Sequence, residues 1–197
     1  EQDRMLHILA DCDVIPYLRK VCGLPWSQQE IIDQIIQRME TFYSSQVRPK
    51  PGLEKFLSIL KMEGVWMYVA TSPHRRLTEK ALKTAGIDHY FRGIVTSADA
   101  GNHKSESADI YEIAMRRLQS NKRDTVVFED ALHAARTARE AGFLVAGVWD
   151  PSAEKDRDEL RQCCHWYLPR LDVPEFLAEL GQLRAGEKKV EEIKNNG

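Results

Sequence analysis

The fold is decided by the stretch Thr125-Val126-Val127-Phe128-Glu129-Asp130, in which a strongly apolar segment runs directly into two carboxylates. Its first four residues are β-branched or aromatic, which is the composition of a short buried strand. Two carboxylates are costly to bury in an apolar core, so we expect them to face solvent, to cap the next helix or to bind a cation. Capping and cation binding are equally open at this point.

The segments on both sides of this stretch alternate between helical and strand-like patterns. The spacing of apolar residues predicts helices over 53–62, 77–85, 108–118, 131–141 and 173–183, and strands over 65–70, 94–96, 125–128, 144–149 and 166–168. Gly64, Gly86 and Gly142 follow three of these helices, as is typical of helix ends. This alternation predicts an α/β fold, with a Rossmann-like parallel sheet and helices on both of its faces.

The first part of the chain has a different pattern, because its apolar residues have helical spacing throughout. Ser27 and Glu30 have the spacing of a capping box at the start of one such helix. The pattern changes at the turn Arg48-Pro49-Lys50-Pro51-Gly52, which we take as a domain boundary. We therefore predict a partial helical cap over residues 1–46, incomplete at its N-terminus, an α/β core over 47–184 and a C-terminal tail over 185–197.

Composition and charge argue against several classes of partner. The 197 residues are 43% hydrophobic and 29% charged, with a formal net charge of -2. This balance gives no basic field that would attract nucleic acid or an anionic membrane, so we expect a small ligand. No segment approaches the ~20 apolar residues of a membrane span. The four cysteines form no CxxC pair, which favours a reduced, cytoplasmic protein.

A second strand end has hydroxyls in place of carboxylates. The sequence Val69-Ala70-Thr71-Ser72 finishes an apolar strand just before a predicted helix. Taken alone, this pattern is typical of a helix N-cap. Open parallel sheets, however, bind ligands beyond the carboxyl ends of their strands, and the free N–H groups of a helix N-terminus bind phosphate. Thr71 and Ser72 are therefore candidates for phosphate binding as well as for capping.

The loop before the helix at 108–118 contains Lys104. A single loop lysine is usually a solvated charge, but its compact ammonium group also suits phosphate and a negatively charged nucleophile. Glu129 and Asp130 complete the set, because Mg²⁺ prefers one or two carboxylates together with water and phosphate oxygens. Hydroxyl, lysine and acidic pair follow one another in this order, each at a strand end or in the loop after it, which favours one common site.

In this set of motifs the chain resembles the haloacid dehalogenase superfamily, and specifically its branch of phosphatases and beta-phosphoglucomutase-like enzymes with a helical cap. The similarity runs from about residue 47 to residue 150. The matching motifs are Lys50-Pro51-Gly52-Leu53, Val69-Ala70-Thr71-Ser72, Lys104 with Asp109-Ile110-Tyr111, Val126-Val127-Phe128-Glu129-Asp130-Ala131, and Ala141-Gly142. The set is specific, although any one motif would be weak evidence of the family.

The resemblance implies a role for each strand end. Thr71, with the amide of Ser72, would hold the transferring phosphoryl group, and Lys104 would neutralise it. Glu129 and Asp130 would hold Mg²⁺. Two further cations, His74 and Arg75, open the following helix, where they would either touch the substrate or be surface residues.

The sequence departs from the family in two places. The family usually has KPxPD after its lysine, whereas this chain has Lys104-Ser105-Glu106-Ser107-Ala108-Asp109. The family's first strand ends in DxDG[TV], which provides the nucleophilic aspartate, and this motif is absent from the 197 residues. The stretch Asp11-Cys12-Asp13 resembles it superficially, but it lacks the glycine, and Pro16 follows where the family's flap begins. We expect the nucleophile strand upstream of residue 1, with Asp11 and Asp13 as the alternative, so that these residues alone would be inactive.

The function expected from the resemblance is a Mg²⁺-dependent phosphohydrolase that acts on a small phosphorylated metabolite through an aspartyl-phosphate. Two alternatives stay open: a sugar phosphomutase like beta-phosphoglucomutase, and a catalytically inactive binding protein of the same fold. A response-regulator receiver is disfavoured because its acidic pair precedes its hydroxyl and lysine. A dinucleotide-binding or P-loop protein is disfavoured because neither glycine-rich motif is present.

Overall fold

The structure of the chain is a computed structural model that describes residues 19–23, 25–72, 75–101, 107–171, 176 and 178. Within these residues, helices and strands alternate as the sequence predicts. In chain order the elements are α1 (Gln28–Ser45), α2 (Leu53–Met62), β1 (Met67–Thr71), α3 (Arg75–Thr84), β2 (Phe91–Thr96), α4 (Ser97–Ala100), α5 (Asp109–Arg117), β3 (Val126–Glu129), α6 (Leu132–Glu140), β4 (Leu144–Val148), α7 (Arg157–Cys163) and β5 (Trp166–Leu168). Short 3-10 helices lie in the connections at Asp88–Tyr90, Lys122–Asp124 and Pro151–Asp156.

Helix α1 begins where the capping box predicts. The backbone N–H of Ser27 donates to Oε2 of Glu30 at 2.7 Å, and the N–H of Glu30 donates to Oγ of Ser27 at 3.3 Å. The helix packs along α3, where Arg76 Nε and Glu40 Oε1 are 2.7 Å apart. Ile31 of α1 is 4% exposed. The front helix is thus in contact with a core helix, and the boundary proposed at residue 46 stays a prediction.

The strands form two groups, and every pair within them is parallel, which confirms the predicted parallel arrangement. Strand β1 pairs with β2, and β4 lies between β3 and β5. Thr71 is level with Thr96 in the first group, and Glu129 is level with Gly147 in the second. Parallel pairing places the carboxyl ends of all strands in a group at one edge.

Helices cover the strands on both faces, as predicted for this fold class. Val95, Val127 and Val145 are buried in one cluster with residues of α5, α6 and α7. Met67 and Ala146 are buried in a second cluster with residues of α2. Val145 and Ala146 fall in different clusters because successive side chains of a strand point to opposite faces. No helix in the described part of the chain has the length and apolar character needed to cross a membrane.

The boundaries of several elements differ from the prediction by a few residues. The largest shift is in β2, which begins at Phe91 rather than at residue 94. Gly93 fits inside this strand because a Cβ there would lie 2.3 Å from the hydroxyl of Tyr68, whose ring occupies that space. Helices α4 and α7 were not predicted. The predicted helix over 173–183 and the tail lie outside the described residues, apart from Phe176 and Ala178, which are helical.

Candidate functional site at the carboxyl ends of the strands

Helix α5 shows that the two groups of strands point in the same direction. Near the start of the helix, Tyr111 donates a hydrogen bond to Glu129 at the end of β3. At the end of the helix, Arg117 Nη1 donates to the hydroxyl of Tyr68, near the start of β1, at 3.4 Å. Helix α5 therefore runs antiparallel to β1 and to β3. The hydroxyl pair Thr71-Ser72 and the acidic pair consequently lie at the same edge of the fold.

The acidic pair has one buried and one half-buried member. Glu129 is the last residue of β3 and is 5% exposed. Its Oε1 accepts a hydrogen bond of 2.8 Å from the hydroxyl of Tyr111, which is 3% exposed. Asp130 follows the strand and is partly buried. The core therefore holds a carboxylate whose charge is stabilised by a hydrogen-bond donor from α5.

This arrangement bears on the three interpretations of the pair. Exposure to solvent does not apply to Glu129, because Tyr111 gives it a partner inside the core. The N-cap position of α6 is Ala131, which has no side-chain acceptor. Cation binding by Glu129 and Asp130 stays a prediction.

Tyr111 is held in its neutral form. Burial raises its pKa, and the negative charge of Glu129, the hydrogen bond to that carboxylate and the charge of Asp130 raise it further. A neutral phenol beside a carboxylate can only donate its proton in the hydrogen bond.

The donor set suits Mg²⁺. Glu129 and Asp130 offer hard carboxylate oxygens from consecutive residues at a strand end. Among the residues that the structure describes, no group of three or more His, Cys, Asp or Glu side chains could hold a metal ion. A closed site made only of protein ligands is thus not found in this part of the chain. Two carboxylates, with water and phosphate completing the shell, match the way Mg²⁺ is usually bound.

The hydroxyl pair lies between β1 and α3. Thr71 is the last residue of β1, Ser72 follows it, and both are partly exposed. Helix α3 begins at Arg75, so the hydroxyls precede a helix N-terminus, as the sequence predicts. Two other predicted site residues, Lys104 and His74, lie outside the described residues.

Arg75 is engaged with β2 and the helix that follows it. Its Nη2 donates to the carbonyl oxygen of Ile94 at 3.0 Å and to Oδ2 of Asp99 at 2.8 Å. The guanidinium therefore has partners within the protein, and its predicted contact with substrate stays a prediction. These bonds connect the start of α3, just after the hydroxyl pair, to the neighbouring strand.

Asp99 and Thr96 are part of the same network and were missed in the sequence. Oδ2 of Asp99 accepts from the backbone N–H of Thr96 at 2.7 Å and from Oγ1 of Thr96 at 2.8 Å. Hydrogen bonds from the backbone and side chain of Thr96, aided by the charge of Arg75, hold the pKa of Asp99 below its usual value. The signal that identifies this pair is an acidic residue three positions after a threonine at the start of a short helix.

A further charged pair lies beyond β4. Lys50 Nζ donates to Oδ2 of Asp150 and, at 3.3 Å, to the carbonyl oxygen of Trp149. Burial opposes ionisation of Asp150, but hydrogen bonds from Lys50 and Ser152 outweigh it and keep the pKa of Asp150 low. The turn between α1 and α2 is therefore connected to the carboxyl end of the strands.

An open cavity of about 450 Å³ lies beside Trp149. It is lined by Trp149, Pro151, Glu154, Arg157 and Pro169.

Solved structures with a similar fold include the following two. A putative beta-phosphoglucomutase from Thermotoga maritima superposes with a TM-score of 0.70 at 21% identity, covering 91% of this chain and 83% of that one. CbbY from Rhodobacter sphaeroides in complex with phosphate superposes with a TM-score of 0.67 at 20% identity, covering 77% of this chain and 67% of that one. At these identities the superpositions show the fold alone.

Curated relatives are similar in sequence to part of the chain. A probable phosphatase, IndB, from Dickeya dadantii is 28% identical over 135 residues, which is 66% of this chain and 58% of the relative. Pyrophosphatase PpaX from Halalkalibacterium halodurans is 26% identical over 157 residues, which is 80% of this chain and 71% of the relative. The chain spans about half to three fifths of the length of several such relatives. The sequence model of haloacid dehalogenase-like hydrolases matches residues 9–148, which is well over half of the chain. The chain therefore belongs to the haloacid dehalogenase-like hydrolase family.

Proposed function

We propose that this protein is a Mg²⁺-dependent phosphohydrolase that acts on a small phosphorylated metabolite through an aspartyl-phosphate. The observation on which the proposal depends is the carboxyl edge of the strands, where the hydroxyls of Thr71 and Ser72 and the carboxylates of Glu129 and Asp130 lie. Relatives named as phosphatases support the reaction class. The proposal assigns the phosphate site to the hydroxyl pair and the metal site to the acidic pair.

Each group at this edge has a chemical task in the proposal. The hydroxyl of Thr71 and the N–H of Ser72 donate to phosphoryl oxygens at the start of α3, where the helix dipole favours an anion. Lys104 adds a positive charge to the same oxygens. Glu129 and Asp130 hold Mg²⁺, which when bound neutralises charge on the phosphate. The set stabilises a phosphoryl group in transfer but includes no nucleophile.

The nucleophile is the part of the proposal that depends on residues outside this set. We propose that the first aspartate of a DxDG strand upstream of residue 1 attacks phosphorus, and that the P–O bond to the leaving oxygen breaks as the second aspartate gives that oxygen a proton. Water, deprotonated by the same second aspartate, then attacks the aspartyl-phosphate and releases inorganic phosphate and the free nucleophile. The separation of the strands supports this, since β1 pairs only with β2, and β3 only with β4, among the described residues. A strand between β1 and β3 would pair with both of their remaining edges. Asp11 and Asp13, outside the described residues, are the alternative.

Phosphate release tests the proposal. The protein encoded by the complete reading frame would be incubated with a panel of sugar phosphates and other phosphorylated metabolites, with Mg²⁺ and with a chelator. Asp130→Asn is expected to lower turnover at least ~100-fold, the order of magnitude for losing a charge-stabilising group. Asp158→Asn, which changes an exposed aspartate of α7, is the matched control and should leave turnover unchanged.

The outcomes separate the competing functions. Release of phosphate that needs both Mg²⁺ and Asp130 supports the proposal. Sugar isomerisation without free phosphate would favour the phosphomutase. Ligand binding without turnover and without Mg²⁺ would favour an inactive binding protein. A reading frame that begins just before Glu1, with no upstream DxDG strand, would contradict the proposed source of the nucleophile.

A further inference from the structure

Tyr111 is the one tyrosine whose hydroxyl donates to the acidic pair among the hydrogen bonds of the described residues. It donates to Oε1 of Glu129 at 2.8 Å, and both residues are nearly inaccessible to solvent. The ring of Tyr111 packs edge-on against Phe143, with 6.2 Å between the ring centroids. The ring of Tyr111 is thus held by core packing as well as by the hydrogen bond that its hydroxyl makes.

We propose that Tyr111 is a positioning residue for Glu129, which it holds in the orientation that binds the divalent cation. The proposal rests on the function proposed above, because it takes Glu129 as a metal ligand. It adds to the site a residue from α5.

The reason for such a residue lies in the flexibility of glutamate. A Glu side chain has three rotatable bonds, and ordering it has an entropic cost. The hydrogen bond from Tyr111 to Oε1 restricts the orientation of this carboxylate. Mg²⁺ requires near-ideal octahedral geometry, so a carboxylate already held in one orientation binds it with less reorganisation. Hydrogen-bond partners of metal ligands commonly act in this way.

The chemical type of the partner supports the same inference. A lysine or arginine would also fix the carboxylate, but its positive charge would compete with the cation for Glu129. The phenol of Tyr111 is neutral and donates one hydrogen bond. It therefore orients Glu129 without adding a positive charge that would compete with Mg²⁺.

Cation affinity tests the inference without any need for turnover. Binding of Mn²⁺, an oxygen-preferring octahedral stand-in for Mg²⁺, would be titrated by the loss of its free paramagnetic resonance signal in the complete protein. Tyr111→Phe keeps the ring against Phe143 and removes only the hydroxyl. We expect it to weaken Mn²⁺ binding about 10-fold or more, the usual effect of losing a partner of a metal ligand.

Tyr167→Phe is the matched control. The hydroxyl of Tyr167, on β5, is buried and has no hydrogen-bond partner among the described residues. Removing it should leave the Mn²⁺ affinity unchanged. Asp130→Asn should abolish the binding, which identifies the titrated site as the acidic pair.

A second measurement gives a signal that simple loss of packing would not produce. Binding of Mg²⁺ to Glu129 weakens the hydrogen bond that Oε1 accepts and should shift the near-ultraviolet absorbance of one tyrosine. This difference spectrum is expected in the wild type and in Tyr167→Phe, and it should be missing from Tyr111→Phe. Because it is recorded in the wild type, it tests the inference even if Tyr111→Phe does not fold.

The two proposals fail in different ways. Equal Mn²⁺ affinity in the wild type and Tyr111→Phe, or a wild-type spectrum that Mg²⁺ does not change despite binding, would overturn the role of Tyr111 and leave the metal site intact. Absence of binding in the wild type, or binding that survives Asp130→Asn, would overturn the metal site at Glu129-Asp130 and the role of Tyr111 together.

Discussion

Removal of the Asp99 carboxylate should loosen the start of α3 from β2. A single oxygen of Asp99, Oδ2, accepts hydrogen bonds from the backbone N–H of Thr96, from its hydroxyl and from Arg75. Asp99→Ala would leave all three donors without this acceptor. Asp99→Asn would keep an oxygen in the same place but remove the charge.

The size of the effect follows from the burial of each donor. Thr96 is 3% exposed, so its N–H cannot turn to solvent, and leaving such a donor unpaired costs about 1–3 kcal/mol. The hydroxyl of Thr96 can rotate towards another acceptor, so we assign it no cost. Arg75 is partly exposed, and the loss of its ion pair adds about 0–1 kcal/mol. We therefore expect Asp99→Ala to lower the free energy of unfolding by about 1–4 kcal/mol, and Asp99→Asn by about 1 kcal/mol.

Urea unfolding followed by circular dichroism at neutral pH measures these differences. Asp33→Ala is a suitable control, because Asp33 is exposed on α1 and accepts a hydrogen bond from the exposed amide of Gln29. It should change the free energy of unfolding by less than about 0.5 kcal/mol. If Asp99→Ala were no more destabilising than this control, the three hydrogen bonds would not stabilise the fold and the reasoning would be wrong.

The same network has a predictable dependence on pH. The pKa of Asp99 is lowered in the folded protein, so the carboxylate stabilises the fold at pH values above its unfolded pKa of about 3.9. This contribution is lost as the pH falls below that value towards the lower native pKa. The difference in thermal midpoint between wild type and Asp99→Asn should accordingly shrink below about pH 4. A difference that stays constant down to about pH 3 would contradict the charge contribution.

Two further predictions concern the packing of the strands. Gly93→Ala should destabilise the protein by about 1–3 kcal/mol, because the new Cβ would lie 2.3 Å from the hydroxyl of Tyr68. In a Tyr68→Ala background, Gly93→Ala should cost much less. The four proteins would be compared by urea unfolding; if the effects of the two substitutions on the free energy of unfolding simply add, the ring of Tyr68 is not the cause of the cost. Burial raises the pKa of the Cys164 thiol to about 12, whereas Cys22 is exposed, so iodoacetamide should label Cys22 much faster in the native protein. Peptide mass spectrometry would measure both rates, and equal rates would refute the difference in thiolate content.

The alternation of elements could be predicted because burial repeats along the sequence with a recognisable period. Strand β3 is recognisable because Val127 is buried in one cluster and Val126 packs against the other, although Phe128 is 36% exposed. Helix α2 has the predicted bounds, Leu53–Met62, because apolar residues recur on one side of it and Gly64 follows. Helix α7 was missed because it is short and, of its residues, only Leu160 is buried. Too few buried positions were available to produce a periodic signal.

The candidate site could be predicted in its residue types but not in its contacts. Glu129 and Asp130 are recognisable because two carboxylates end an apolar strand. The bond from Tyr111 to Glu129 is not recognisable, since Tyr111 has the spacing of an ordinary core residue of α5 and its hydroxyl direction depends on packing. For the same reason the sequence does not indicate that Arg75 is directed to Ile94 and Asp99. Local patterns predict which residues are polar at an edge, whereas long-range contacts decide which partners they meet.

The first turn of α3 contains two consecutive arginines that are fastened to different parts of the molecule. Arg75 is bound to Ile94 and Asp99, and Arg76 is bound to Glu40 of α1. The beginning of α3 is thus tethered to a strand on one side and to the front helix on the other. Contacts from the front helix α1 and from the strand β2 therefore meet at the first turn of α3, which follows Thr71 and Ser72 in the sequence.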